Sequence, residues 1–216
     1  MGEIRVAIAD DHKIFRKGVI LSLRHYSNLK FVLEAENGQQ LLDGIKETRP
    51  DVILMDLRMP VKDGIETTKY ISLHHPDIHV LVLTMHEEEK FVIHLMENGA
   101  NGYLLKSSDP VEIKKAITDV VDKGYYLSNF VNRILIKKSQ SKNKPALSLT
   151  NGAEVSEREK EVLEYICLEF TSQEIGEKMG ISSRTVESIK ERLMERFGLK
   201  NTAGLVFFAV KNNLID

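Results

Sequence analysis

The chain has 216 residues, with 30 Lys and Arg against 32 Asp and Glu for a formal net charge of −2, 42% hydrophobic and 29% charged side chains. These values are ordinary for a globular protein; they exclude the disordered, collagen-like and low-complexity classes, and the length allows one large domain or two small ones. The lone Cys167 cannot close an internal disulfide, the first residues lack a signal-peptide pattern, and no window approaches the roughly 18 apolar residues of a membrane span, so a soluble, cytoplasmic protein without a membrane partner is expected.

Short apolar runs of strand length come first: Ile4–Ala9, Phe31–Ala35, Val52–Met55, Val80–Leu83 and Gly102–Leu105. Segments of helical period separate them, with Leu41, Leu42 and Ile45 on one apolar face and Phe91, Val92, Leu95 and Met96 on another. Asp109-Pro110-Val111-Glu112 reads as a capping box with Pro at the first helical position. Five strands alternating with helices imply a parallel, doubly wound α/β sheet with right-handed connections. A further apolar stripe from Tyr126 to Lys138 predicts a helix of open role.

Charge marks the division that follows. Residues 1–122 sum to −5, residues 123–153 carry six basic side chains and no acid, and residues 154–216 hold nine basic against twelve acidic. Lys137 to Gly152, rich in Ser, Lys and Asn, reads as a flexible linker. The expected organisation is therefore a domain over 1–122, a helix and basic linker over 123–150, and a small all-α domain over 151–216. In the last, Ser156-x-x-Glu159 and Thr171-x-x-Glu174 are capping boxes, Gly180 and Gly198 end helices, Ser182 caps the helix to Phe197, and Leu205, Val206, Phe208 and Ala209 mark a final one. Two short helices joined by Met179-Gly180-Ile181-Ser182 make a helix-turn-helix pattern.

Polar residues cluster where the strands end: Asp10 and Asp11, Asp56, Thr84, Lys106. In an open α/β sheet the carboxyl edge is where ligands bind. Three carboxylates brought together favour a hard divalent cation, and a Lys with a hydroxyl beside them completes a site for a phosphoryl group. Singly, each could be a turn former; five at matching strand ends point to a site. His74, His75 and His79 lie close in sequence but match no zinc spacing.

Residues 1–122 resemble the receiver domain of bacterial two-component response regulators, a flavodoxin-like fold. The resemblance rests on Asp10-Asp11-His12, Met55-Asp56-Leu57-Arg58-Met59-Pro60 with Gly64, Thr84, and Gly102-Tyr103-Leu104-Leu105-Lys106. It implies Asp56 as phosphoacceptor, and Mg2+ (Mn2+ as substitute) held by Asp10, Asp11, Asp56 and the Arg58 carbonyl. It further implies Thr84 and Lys106 on the phosphoryl oxygens, Tyr103 as an aromatic switch, and Arg58 and His86 as side chains that tune hydrolysis.

Residues 151–216 resemble the LuxR-type (NarL/FixJ subfamily) DNA-binding domain through Val155–Leu163, Gln173-Glu174-Ile175-Gly176, Met179-Gly180-Ile181-Ser182, Thr185-Val186-Glu187, Gly198-Leu199 and Asn201-Thr202. The helix from Ser182 to Phe197 would enter the major groove and the last helix would support dimerisation. Val186, Ile189, Leu193 and Phe197 form its core stripe, so Arg184, Glu187, Ser188, Glu191 and Glu195 face outward, flanked by Lys190 and Arg192. Family members often carry basic residues where Glu187 and Glu191 stand, so base preference does not transfer; a Glu accepts from cytosine N4. Thr171, Ser172, Thr185, Arg192, Arg196, Lys200 and backbone amides at helix starts are the candidates for phosphate contacts, and Ser182 is a further candidate DNA-binding residue.

The expected function is thus a phosphorylation-dependent transcription regulator that takes a phosphoryl group from a sensor histidine kinase and binds double-stranded DNA as a homodimer. It is no enzyme beyond its own phosphorylation and dephosphorylation. The alternative, permitted by the −3 charge of the second domain, is a phosphorylation-dependent protein-interaction module with weak DNA affinity. In the unphosphorylated form the receiver is expected to cover the recognition helix, with dimerisation through a receiver face as the competing account.

Overall fold

A computed structural model describes residues 2–85, 88–140, 155–212 and 214. Its first half alternates β1 (Ile4–Ala9), α1 (Lys13–Leu23), β2 (Leu29–Ala35), α2 (Gly38–Thr48), β3 (Val52–Met55), α3 (Gly64–His74), β4 (His79–Thr84), α4 (Glu89–Glu97), β5 (Gly102–Leu105) and α5 (Pro110–Lys123). After α6 (Asn129–Gln140) come α7 (Glu157–Cys167), α8 (Ser172–Met179), α9 (Ser183–Phe197) and α10 (Thr202–Lys211). The sheet is parallel, in the order β2-β1-β3-β4-β5. Alternate strand residues serve the two faces. Val6, Ile8, Leu54, Leu81 and Leu83 pack with Val19 and Leu23 of α1 and Ile113, Ile117 and Val120 of α5. Ala7, Ala9, Ile53 and Met55 pack with Leu41, Leu42 and Ile45 of α2 and Ile71 of α3. Buried on both sides, these strands read as near-continuous apolar runs, which is why the sequence exposed them.

The structure moves some boundaries. The capping box at Asp109 does not form: Asp109 makes no side-chain cap bond, and Glu112 instead accepts the Tyr126 hydroxyl at 3.1 Å. Pro110 does occupy the first turn. The helix expected from Tyr126 begins at Asn129, because Tyr126 donates its backbone N–H to the Asn101 carbonyl at 2.8 Å and bridges to Gly102 at the sheet edge. It continues to Gln140, so the first residues of the expected linker are helical; residues 141–154 lie outside the described residues.

The cores of the two halves merge. Val82, Tyr103, Val92, Leu95 and Met96 are continuous with Val131 and Ile134 of α6 and with Val162, Leu163, Ile189, Leu193, Leu205, Val206 and Phe207 of α7, α9 and α10. Polar bonds pin the contact: Asn201 Nδ2 donates to the Gly99 and Ala100 carbonyls at 2.8 and 3.1 Å, and the Tyr125 hydroxyl to the Ile166 carbonyl. Lys123 pairs with Glu169 and Lys211 with Glu97, each at 3.2 Å. Between α4 and α10 lies a cavity of about 270 Å³ lined by Ile93, Met96, Leu199, Phe207 and Phe208.

Candidate functional site

Each carboxylate is placed by a strand that runs out of apolar residues at the sheet's carboxyl edge. Asp10 and Asp56 are nearly inaccessible, 2% and 5% exposed, because the backbone that carries them is still in the sheet: the Asp10 N–H bonds the Ala35 carbonyl and the Asp56 N–H the Ala9 carbonyl. Lys106, one residue past β5, bridges the pair with Nζ 2.7 Å from Asp10 Oδ2 and 2.9 Å from Asp56 Oδ2. Asp56 Oδ1 accepts the Leu57 N–H at 2.8 Å. Oxygens of Asp10, Asp11 and Asp56, with a nitrogen of His12, lie within 4.8 Å of one another, a set able to hold a metal ion. Burial pushes the Asp56 carboxyl above its ordinary range, the neighbouring Asp10 charge adds to that, and the Lys106 ammonium opposes both. A carboxylate held this way is a charge looking for compensation.

Around this centre, Thr84 at the end of β4 is buried, and its carbonyl accepts the Lys106 N–H at 2.8 Å. Tyr103 is fully buried, its ring 6.1 Å from that of Phe130 in α6. Arg58 is exposed and lines an open hollow with Asp11, Met59, Pro60 and Phe91. His86 lies outside the described residues. At Gly64 a Cβ would overlap the Asp56 carbonyl oxygen, so the loop closes under Asp56 only with glycine.

Three contributors escaped the sequence reading. Phe15 presents its ring 4.8 Å from Lys106 Nζ. Arg16, buried on α1, bonds the Asp10 carbonyl and pairs with Glu34 and Glu36. A basic residue on an otherwise apolar helix stripe was the available signal. Val61, in the loop after Asp56, has a φ of +67°, strained for a β-branched residue; its sequence carries no signal for this. His74, His75 and His79 belong to no metal-capable cluster among the described residues: His74 Nδ1 lies 2.9 Å from the Tyr70 carbonyl, with its ring stacked on Tyr70. Cys167 is a packed thiol, its pKa pushed up to about 12 by burial.

In the second half both capping boxes form, at Ser156 with Glu159 and at Thr171 with Glu174. Ser182 caps α9 by accepting the Thr185 N–H at 3.1 Å. Val186, Ile189 and Leu193 are buried, while Ser182, Arg184, Glu187, Ser188, Glu191, Arg192 and Glu195 are exposed and Thr171, Ser172 and Thr185 are partly so. The expectation that the receiver covers this face is therefore corrected. The polar face of α9 has no apolar area to offer, whereas α10 does, burying Leu205, Val206, Phe207 and Ala209; α4 of the first domain and the helix α6 pack there instead. Among the described residues no helix is long and apolar enough to cross a membrane.

A model of the response regulator receiver domain matches residues 6–118, and one of the bacterial regulatory proteins of the luxR family matches residues 153–209. The chain is a response regulator. It is 32% identical over 216 residues, 99% of this chain and the whole of the relative, to the oxygen regulatory protein NreC of Staphylococcus aureus. Among solved structures it is similar to the response regulator RcsB of Salmonella typhimurium, with 29% identity, 95% of this chain and 97% of that chain covered, and a TM-score of 0.58. A second RcsB structure, of two dimers bound to two parallel DNAs, is 28% identical with a TM-score of 0.58 over 97% of this chain and 99% of that one. This response regulator is a phosphorylation-dependent, DNA-binding transcription regulator rather than a classical enzyme. Its two domains imply a kinase and DNA as partners.

Proposed function

We propose that Asp56 accepts a phosphoryl group from a partner sensor histidine kinase, and that the acyl phosphate loosens the receiver from α10 so that α10 pairs with a second copy on double-stranded DNA. The observation that carries this reading is the Lys106 ammonium shared between Asp10 and Asp56 at the buried sheet edge. In the transfer an Asp56 carboxylate oxygen forms the new bond to phosphorus as the bond to the donor imidazole breaks. Lys106, already within 2.9 Å, then meets a dianion with strong acceptor oxygens instead of a single carboxylate. Asp10, Asp11, Asp56 and the Arg58 carbonyl suit Mg2+, or Mn2+, since the carboxylates are hard oxygen donors in one small cluster. When bound, the cation neutralises charge on the phosphoryl oxygens and orients them.

Thr84 turning toward the phosphoryl group leaves room beside Tyr103, whose ring neighbours Phe130 of α6, and α6 packs on α10. That contiguous path is the element phosphorylation biases. Arg58 and His86 tune the later hydrolysis of the acyl phosphate by water. The chain divides into a receiver over 1–122, a helix and linker over 123–150 and a DNA-binding domain over 151–216, working in the cytoplasm. Thr171, the Ser172 backbone N–H, Ser182, Thr185 and Arg192 hold the DNA backbone, with Arg184, Glu187 and Ser188 toward the bases.

The test is intact-mass measurement and light scattering on the full chain with Mg2+ and a small-molecule phosphodonor. One phosphoryl group and a doubled molar mass are expected for the wild type and neither for Asp56→Asn. Equal modification of both forms would remove Asp56 as the acceptor, and a modified chain that stays monomeric would remove the dimer step.

A further inference from the structure

The outward face of α9 carries three carboxylates, which DNA repels, yet they are not equivalent. Glu187 sits in the second turn of the helix, the N-terminal part that reaches base edges in this docking geometry. Its Oε1 accepts the Ser172 hydroxyl from α8 and lies 3.0 Å from Lys190 Nζ, which is itself 3.4 Å from Ser172 Oγ. The Lys190 side chain is only 7% exposed while Glu187 is about half exposed. Lys190 is thus spent as a counter-ion on the side of α9 that lies toward His79 of the first domain, and both bonds hold the same oxygen, so Oε2 receives no bond from a described residue. Neither Glu191 nor Glu195 receives a side-chain bond from a described residue in this way.

We infer that Glu187 is the specificity-determining acceptor of the recognition helix, clamped by Ser172 and Lys190 so that its remaining oxygen reads the exocyclic amine of a cytosine in the major groove. The inference rests on the DNA-binding reading above. A carboxylate has acceptors only; guanine and thymine present acceptors where it points, and adenine sets its N7 acceptor beside its amine, which leaves cytosine N4 as the edge it matches. The clamp supplies what an exposed Glu lacks. Its charge is compensated before it meets the phosphates, and its rotamer is fixed from two elements, so little ordering entropy remains to be lost on binding. Glu191, without such support, is a general electrostatic penalty.

The full chain, treated with Mg2+ and a phosphodonor, is used to select from a random double-stranded DNA pool, side by side with Glu187→Gln and Glu191→Gln. The wild type is expected to require cytosine at one position of each half-site by about tenfold over other bases. Gln donates and accepts, which matches adenine N6 and N7, so Glu187→Gln moves that single position from cytosine to adenine, while Glu191→Gln keeps the wild-type motif. A motif unchanged by Glu187→Gln overturns the inference while leaving DNA binding in place. Retention of no preferred sequence by any form overturns the DNA-binding reading and this inference with it.

Discussion

Two carboxylates, one in each domain, are both largely buried and both paired with a cation, yet the protein shifts them in opposite directions. Asp56 is raised by burial and by Asp10, against the bond from Lys106. Glu159 is also pushed up by burial, but its ion pair with Arg196 and its two bonds from Ser156 prevail and hold it below the ordinary value. Among the described residues, the difference lies in how many donors each carboxylate has. Arg196 and Ser156 both serve Glu159, whereas one Lys106 divides between Asp10 and Asp56. Under the proposed function, a site kept short of compensation is ready to receive a phosphoryl group and its cation; a fully compensated one is part of the scaffold.

The largest expected effect comes from removing the shared cation. Lys106→Met should leave Asp56 able to be modified but cut the phosphodonor-induced gain in DNA affinity by at least about tenfold, measured by fluorescence anisotropy. A full response in that variant would break the comparison at its receiver end. Next, Glu159→Ala loses the ion pair and half of the capping box and is expected to cost about 2 kcal/mol in urea unfolding of the second domain.

The sign of the pH dependence separates the two carboxylates further. Because its folded value is lowered, Glu159 contributes stability that is present above its ordinary value of 4.5 and is lost as pH falls through the lowered one. Asp56, with a raised folded value, does the reverse: stability drops as pH rises from its ordinary 3.8 through that raised value, so the ionised group is a cost at neutral pH. Asp56→Asn is accordingly expected to stabilise the metal-free chain at neutral pH by about 1 kcal/mol and to flatten this limb of the profile. Thermal midpoints taken at intervals from pH 3.5 to 7 check both signs. The smallest effect is local: Val61→Gly relieves a left-handed β-branched residue and should stabilise by about 0.5 kcal/mol, read from the same melts.

The layout of the receiver's candidate site was legible because its polar residues interrupt apolar strands, a contrast that survives in one dimension. Asp10, Asp56, Thr84 and Lys106 could be placed at one edge from strand spacing alone, and the caps at Ser156, Thr171 and Ser182 from local pattern. What stayed hidden depends on residues far apart in the chain. Phe15 beside Lys106, Arg16 behind Asp10, and Lys190 turned inward to Glu187 are tertiary placements that no local period encodes. The same holds for the domain contact. Helical periodicity showed that α10 is apolar; it could not show that α4 and α6 cover it while the face of α9 stays open. The Asp109 box failed for a similar reason, its Glu112 being taken by Tyr126 from the following segment.

The most direct test is a DNA-binding isotherm on the motif selected by the phosphorylated chain, recorded with Mg2+ with and without phosphodonor, for the wild type and Asp56→Asn. The wild type is expected to bind at least about tenfold more tightly once phosphorylated, and Asp56→Asn to remain at the unphosphorylated affinity under both conditions. An equal gain in the two forms, or none in the wild type, would contradict a buried, under-compensated Asp56 as the switch for DNA binding.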